Sequence, residues 1–220
     1  MAIIPGDEKV FMVDKRTNTI YGGSAALQAM QQWYTMQDVS DSIQPYKVFT
    51  ALLTQKGGDF LDQLDYTSVI QNVTKGVTYN IGATDIGADF TNVGAPNNNE
   101  GTSFIAINNE IPNSWGESEG SALIFNTGAP VATVLENTIG NVWFTYVANG
   151  TYLINSNGLF TIDKCWCTRV IELGVSGPSN RGVLYDYENG NQFAITTELD
   201  IDSPSNDLLN NTPIEIRVYN

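Results

Sequence analysis

The stretch Val142-Trp143-Phe144-Thr145-Tyr146-Val147-Ala148-Asn149-Gly150-Thr151-Tyr152-Leu153-Ile154 decides how this chain folds. Two runs rich in β-branched and aromatic residues stand on either side of Asn149-Gly150. Such runs favour extended backbone, because their side chains pack well on a pleated surface. Asn-Gly is a pair favoured in tight hairpin turns. The stretch therefore predicts two antiparallel strands joined by a short turn.

The pattern repeats in both directions. Tyr46 to Gln55 is a long strand candidate, closed by Gly57-Gly58. Further candidates are Val77 to Ile81, Thr102 to Ile107, Ala122 to Phe125, Val131 to Leu135, Cys165 to Leu173, Val183 to Tyr187 and Phe193 to Thr197. The final run, Ile214-Glu215-Ile216-Arg217-Val218-Tyr219, alternates with period two. Turn clusters such as Gly94-Ala95-Pro96-Asn97-Asn98-Asn99 separate the runs. Asp59 to Ile70 reads as carrying one helical turn. About ten short strands with frequent turns predict a mainly β chain, with an antiparallel β-sandwich or jelly-roll-like domain over residues 45–220.

Residues 1–44 read differently. Glu8 to Val13 and Ile20-Tyr21 predict a small hairpin. After Gly22-Gly23, Ser24 is a good N-cap for a helix running to Val39, rich in Ala, Leu, Met and Gln. Met30, Trp33 and Met36 or Gln37 recur at helical spacing and would share one face. Pro45 biases Gln44 away from helical backbone and marks the boundary. A hairpin and one helix bury too little to be stable alone. Phe11, Met12, Met30, Trp33, Tyr34 and Met36 are residue types favoured in interfaces, and they form the candidate partner-binding set. The piece reads as an attachment or oligomerisation module.

Composition narrows the chemistry. Only 15% of the 220 residues are charged and 20 are Gly, the balance of a turn-rich β protein rather than a helical enzyme. The net charge of −14 repels phosphate backbones, so no nucleic-acid partner is expected. No run approaches the roughly 18 apolar residues that cross a bilayer, so no membrane partner is expected either. The first residues lack a basic n-region and a long apolar core, which predicts synthesis in the cytosol. There is no histidine, which removes Ser-His-Asp and Cys-His catalysis and imidazole-ligated zinc. Cys165 and Cys167 would point to one face of a strand with parallel Cβ vectors, poor geometry for a disulfide, and read as small buried hydrophobes.

What chemistry survives is carboxylate chemistry. Glu110, Glu117 and Glu119 flank Trp115 on a Pro- and Gly-containing loop, the best place for a sugar-facing site. Hydrolysis there would need two carboxylates about 5–9 Å apart. Trp115 is the ligand-binding candidate, as a ring to stack on a glycan. Asp200 to Asp207 alternates oxygen ligands but lacks the Gly and distal Glu of a helix-loop-helix calcium site. Neither a cofactor nor a metal is expected, and the reading is non-enzymatic.

Several words carry a resemblance. Asp7 to Val13 followed by Ser24 to Val39 resembles the N-terminal module of virion head-fibre and decoration proteins of tailed bacteriophages, especially crAss-like phages of gut Bacteroidetes. Tyr46 to Phe160 is similar to a domain recurring in phage and large-virus structural proteins. Its most specific words are Asn92-Val93-Gly94-Ala95-Pro96-Asn97-Asn98, Ile111-Pro112-Asn113-Ser114-Trp115-Gly116 and Val134 to Tyr146. The resemblance implies a capsid-associated protein, assembled in the host cytoplasm and anchored by its N-terminal module with the β-domain projecting. The implied partners are the major capsid protein or another virion protein and further copies of the chain, a trimer before a dimer, and the implied ligand is a host surface glycan. Alternatives are a carbohydrate-binding adsorption module and a carboxylate-based depolymerase.

Overall fold

The computed structural model describes residues 11–14, 19–22, 45–66, 71–117, 120–168, 170–171, 182–200 and 203–219. The chain divides into two units, Met1–Pro45 and Tyr46–Asn220. In the first, β1 (Phe11–Asp14) and β2 (Thr19–Gly22) form an antiparallel hairpin. The helix expected over Ser24 to Val39 lies outside the described residues.

The second unit opens with β3 (Tyr46–Thr54). Period-two alternation turns Phe49, Ala51 and Leu53 inward, each at most 1% exposed. The chain then leaves this strand for an inserted lobe. The lobe holds β4 (Leu61–Asp65), β5 (Thr78–Ala83), β6 (Ala88–Asp89), a 3-10 turn (Thr91–Val93), β7 (Ser103–Ile105), β8 (Ser114–Trp115) and β9 (Ala122–Asn126). It returns as β10 (Val131–Asn137), which pairs antiparallel with β3, Val131 opposite Thr54. Residues 55–130 are thus an excursion between two neighbouring strands. Within the lobe the sheet order is β4-β9-β5-β7, with β6 and β8 as a separate ribbon. Tyr79, Ile81, Phe90, Phe104, Trp115 and Leu123 form its own core.

The rest of the chain completes the sandwich. β11 (Val142–Ala148) and β12 (Thr151–Ser156) are the hairpin expected around Asn149-Gly150. Gly150 has φ +68°, and a Cβ there would stand 2.3 Å from the Ser205 nitrogen, so the turn requires glycine. After them come β13 (Cys165–Cys167), β14 (Val170–Ile171), β15 (Gly182–Asn189), β16 (Gln192–Asp200), β17 (Ser203–Pro204) and β18 (Thr212–Tyr219). One sheet runs β10-β3-β18-β13, the other β11-β12-β16-β15-β14 with β17 on β16. Every pairing among the described strands is antiparallel. Between the sheets, Phe49, Leu53, Ile214 and Ile216 meet Phe144, Tyr152, Ile154, Phe193 and Ile195 in one apolar core. Burying side chains of this size stabilises by about 1.5–3 kcal/mol each. The expected antiparallel β-sandwich is the architecture found.

Two local expectations are corrected. Asp59 to Ile70 carries no helical turn among its described residues: Leu61–Asp65 is a strand paired with β9. The single strand expected from Cys165 to Leu173 is two. Its first half pairs with β18 in one sheet, its second with β15 in the other, and the Thr168 N–H donates to the Glu215 carbonyl at 2.9 Å as the chain leaves.

Candidate functional site

The sequence-predicted residues fall in three places. Phe11 and Met12 lie on β1, opposite Gly22 and Tyr21. Met30, Trp33, Tyr34 and Met36 lie outside the described residues. Trp115 is not the exposed ring expected. It is 7% exposed, pairs through β8 with Ala88, and meets the Phe90 ring edge-on at 5.6 Å. A buried indole closing the lobe core has no free face for a sugar. Glu110 and Glu117 are exposed, and Glu119 lies outside the described residues. Glu110 accepts a hydrogen bond from the Asn108 amide, and the Glu117 N–H donates to the Ile86 carbonyl.

The calcium-like stretch is a latch where it is described. Asn206 Oδ1 accepts from the Gly150 N–H at 2.8 Å and from the Tyr152 hydroxyl at 2.9 Å. Asp207 accepts from the Gly57 N–H, and its own N–H donates to Gln55 Oε1 at 2.7 Å. Gln55, 1% exposed, also donates to the Gly57 carbonyl. These contacts tie the start of the inserted lobe to the turn before β18. Among the described residues no group of three or more Cys, Asp and Glu side chains gathers to hold a metal ion.

The three distinctive words prove to be joints. Asn92 donates to the Ile111 carbonyl and accepts from the Asn113 N–H, so the first word is zipped to the second. Asp89 reinforces the seam, accepting from Thr91 Oγ1 at 2.6 Å and from Asn113 Nδ2 at 2.9 Å. Those bonds hold its carboxyl at about 2, below the ordinary 3.8, with Thr91 the larger cause. In the third word the Thr138 hydroxyl accepts from the Val48 N–H at 2.7 Å, and Asn137 brackets Gly140 from both sides.

Two surfaces have the shape of binding sites. The first is a cleft of about 440 Å³ where the lobe meets the β10 edge of the sandwich. Phe49, Ile105, Ala132 and Val142 line it, with Lys75 and Asn141 among its polar groups. Its volume suits a small molecule. Its described lining offers the Lys75 amine and the Asn137 and Asn141 amides, and no carboxylate, hydroxyl or thiol.

The second is a platform on the outer face of the β3-β18-β13 sheet. Register places Trp166 opposite Arg217, and Tyr219 opposite Tyr46. The Arg217 guanidinium lies 4.7 Å from the Tyr46 ring centre and 5.2 Å from that of Trp166. Attraction between the cation and the electron-rich ring faces keeps the three side chains stacked. The Tyr46 and Tyr219 rings are 5.4 Å apart and tilted by 58°. Glu215 accepts from Arg217 Nε, and this bond is the main cause that raises the guanidinium pKa, followed by one to Tyr219. Trp166 is 46% exposed and Tyr219 39%.

No protein-family model, curated protein or solved structure matches the chain.

The platform went unnoticed in sequence, although its signal is there. The alternation Ile214 to Tyr219 puts Glu215, Arg217 and Tyr219 on one face and the apolar residues on the other. Trp166 shares the outer face because Cys165 and Cys167 take the inner one, where both pack against the sandwich core. Both cysteines are free, and both are half-buried rather than wholly buried. Burial raises both thiol pKa values, most for Cys167, and favours the unreactive protonated form.

Proposed function

We propose that the chain is a non-enzymatic virion structural protein, a head fibre or capsid decoration of a tailed bacteriophage. Residues 1–44 anchor it to the major capsid protein or another virion protein, and the β-sandwich unit is presented at the capsid surface. One observation carries the reading: the division at Pro45, which separates a small hairpin-bearing unit from a large all-antiparallel one. A unit of that size buries little of its own apolar surface, so a partner is the physical way to cover Phe11, Met12, Met30, Trp33, Tyr34 and Met36. The words that resemble those of phage structural proteins act here as joints of a scaffold, which suits a structural role. Absence of histidine throughout the chain supports the non-enzymatic part. The protein is read as a homo-oligomer, a trimer before a dimer.

Particle incorporation tests the reading. Full-length chains carrying Met30→Ala and Trp33→Ala should fold but be depleted from purified particles by about tenfold or more, a loss of about 1.4 kcal/mol of anchoring free energy. A double variant that joins particles at the wild-type level would remove the anchoring role. Sedimentation of the wild-type chain as a stable monomer would remove the trimer.

A further inference from the structure

We propose that the platform of Trp166, Arg217, Tyr219 and Glu215 is a binding site for a neutral glycan, with Trp166 as its stacking ring. The proposal is independent of the virion reading, because it rests only on this face of the sandwich.

Four observations converge. First, the ring is presented and held. Nearly half of Trp166 is accessible although Arg217 stacks on it, and the guanidinium is itself braced by Tyr46 and Glu215. A ring already ordered in the free protein loses little conformational freedom when a ligand covers it. Second, the ring has the right electrostatics. The C–H face of a pyranose is apolar and weakly positive, and it matches the negative face of an indole or phenol. Tyr219, two residues from Arg217 on the same sheet face and packed against Tyr46, adds a second accessible ring.

Third, hydrogen-bonding capacity surrounds the rings. The Glu215 and Arg217 side chains remain about one-third exposed, at 32% and 34%. A carboxylate has more acceptor positions than one guanidinium N–H fills, and a guanidinium has five N–H donors. Sugar hydroxyls need both kinds. Fourth, charge selects the sugar. Arg217 and Glu215 neutralise one another, and the chain as a whole carries −14. A uronic or sialic acid would meet that field unfavourably, so the class indicated is a neutral hexopyranose chain.

A second copy of the chain is the weaker occupant. A stable dimer buries about 1,200–2,000 Å² around a mainly apolar centre. The residues two places either side of Trp166, Lys164 and Thr168, are polar. The exposed rings here are those of Trp166 and Tyr219, with Tyr46 half-buried against Tyr219.

The test is titration of the full-length protein with maltohexaose, cellohexaose and mannohexaose, followed by tryptophan fluorescence and calorimetry up to about 5 mM. At least one saccharide should bind, and Trp166→Ala should weaken it by about tenfold or more with circular dichroism unchanged. Trp166→Phe keeps a smaller ring and should bind with intermediate affinity, which decides the matter if the alanine variant does not fold. The proposal falls if none of the three binds the wild type, or if neither variant alters binding. It also falls if Trp166→Ala instead lowers the sedimentation coefficient of the free protein, which would make the platform a contact between copies.

Discussion

Asp89 holds its loop with three hydrogen bonds to one carboxylate, from Thr91 N–H, Thr91 Oγ1 and Asn113 Nδ2. Its folded-state pKa is about 2 against an ordinary 3.8. Because the folded value is the lower one, the fold favours the ionised form. The contribution is complete above about pH 4 and is lost as pH falls from there toward 2. Asp89→Asn should therefore flatten the acid limb of stability, read from urea midpoints at stepped pH, while leaving the neutral-pH fold intact. Trp115 and Trp166 both sit in short words that mix polar and apolar residues, and the sequence places the first in a sugar-facing loop. Pairing of Ser114-Trp115 with Ala88-Asp89 buries the first, while β13 turns the second outward between two inward thiols. That difference lies in strand pairing across long sequence separations, which local composition does not encode.

Among the elements, those with a clear period or a turn pair were legible. Tyr46–Thr54, the Asn149-Gly150 hairpin and Thr212–Tyr219 all follow from alternation and turn chemistry. Leu61–Asp65 was not, because Asp, Gln and Asp lower its strand propensity and it is held by its partner β9. The stretch after Cys167 was misread as one strand because a change of sheet leaves the run of apolar residues unbroken. Gly76 marks a similar hidden junction. It has φ +86°, and a Cβ would stand 2.4 Å from the Ala132 carbonyl oxygen where the lobe rejoins the sandwich. Its carbonyl accepts from the Ala132 N–H, and its N–H donates to the Ala106 carbonyl. Gly76→Ala should cost more than about 1 kcal/mol, since strain and a backbone clash add, measured by chemical denaturation.

Among its described residues, the unit from Tyr46 onward has two apolar cores, one in the lobe and one in the sandwich. A buried hydrogen bond from the Phe144 N–H to Thr78 Oγ1, 3.0 Å long, joins the edge strand of one to a strand of the other. The Asn141 amide adds a second tie to the Ser103 carbonyl at 2.8 Å. Thr78→Val keeps the shape and removes the acceptor, leaving a buried N–H unpaired. It should destabilise by about 1–3 kcal/mol and raise hydrogen exchange at the Phe144 amide above that of Ile154. From residues alone came the strand-rich class, the break at Pro45, the hairpin turns and the exclusion of histidine chemistry. Each depends on local backbone preference or on the inventory of side chains. The inserted lobe, the burial of Trp115 and the Trp166 platform came from the folded chain. They depend on which distant strands hydrogen-bond, and that pairing is set by how two cores close together.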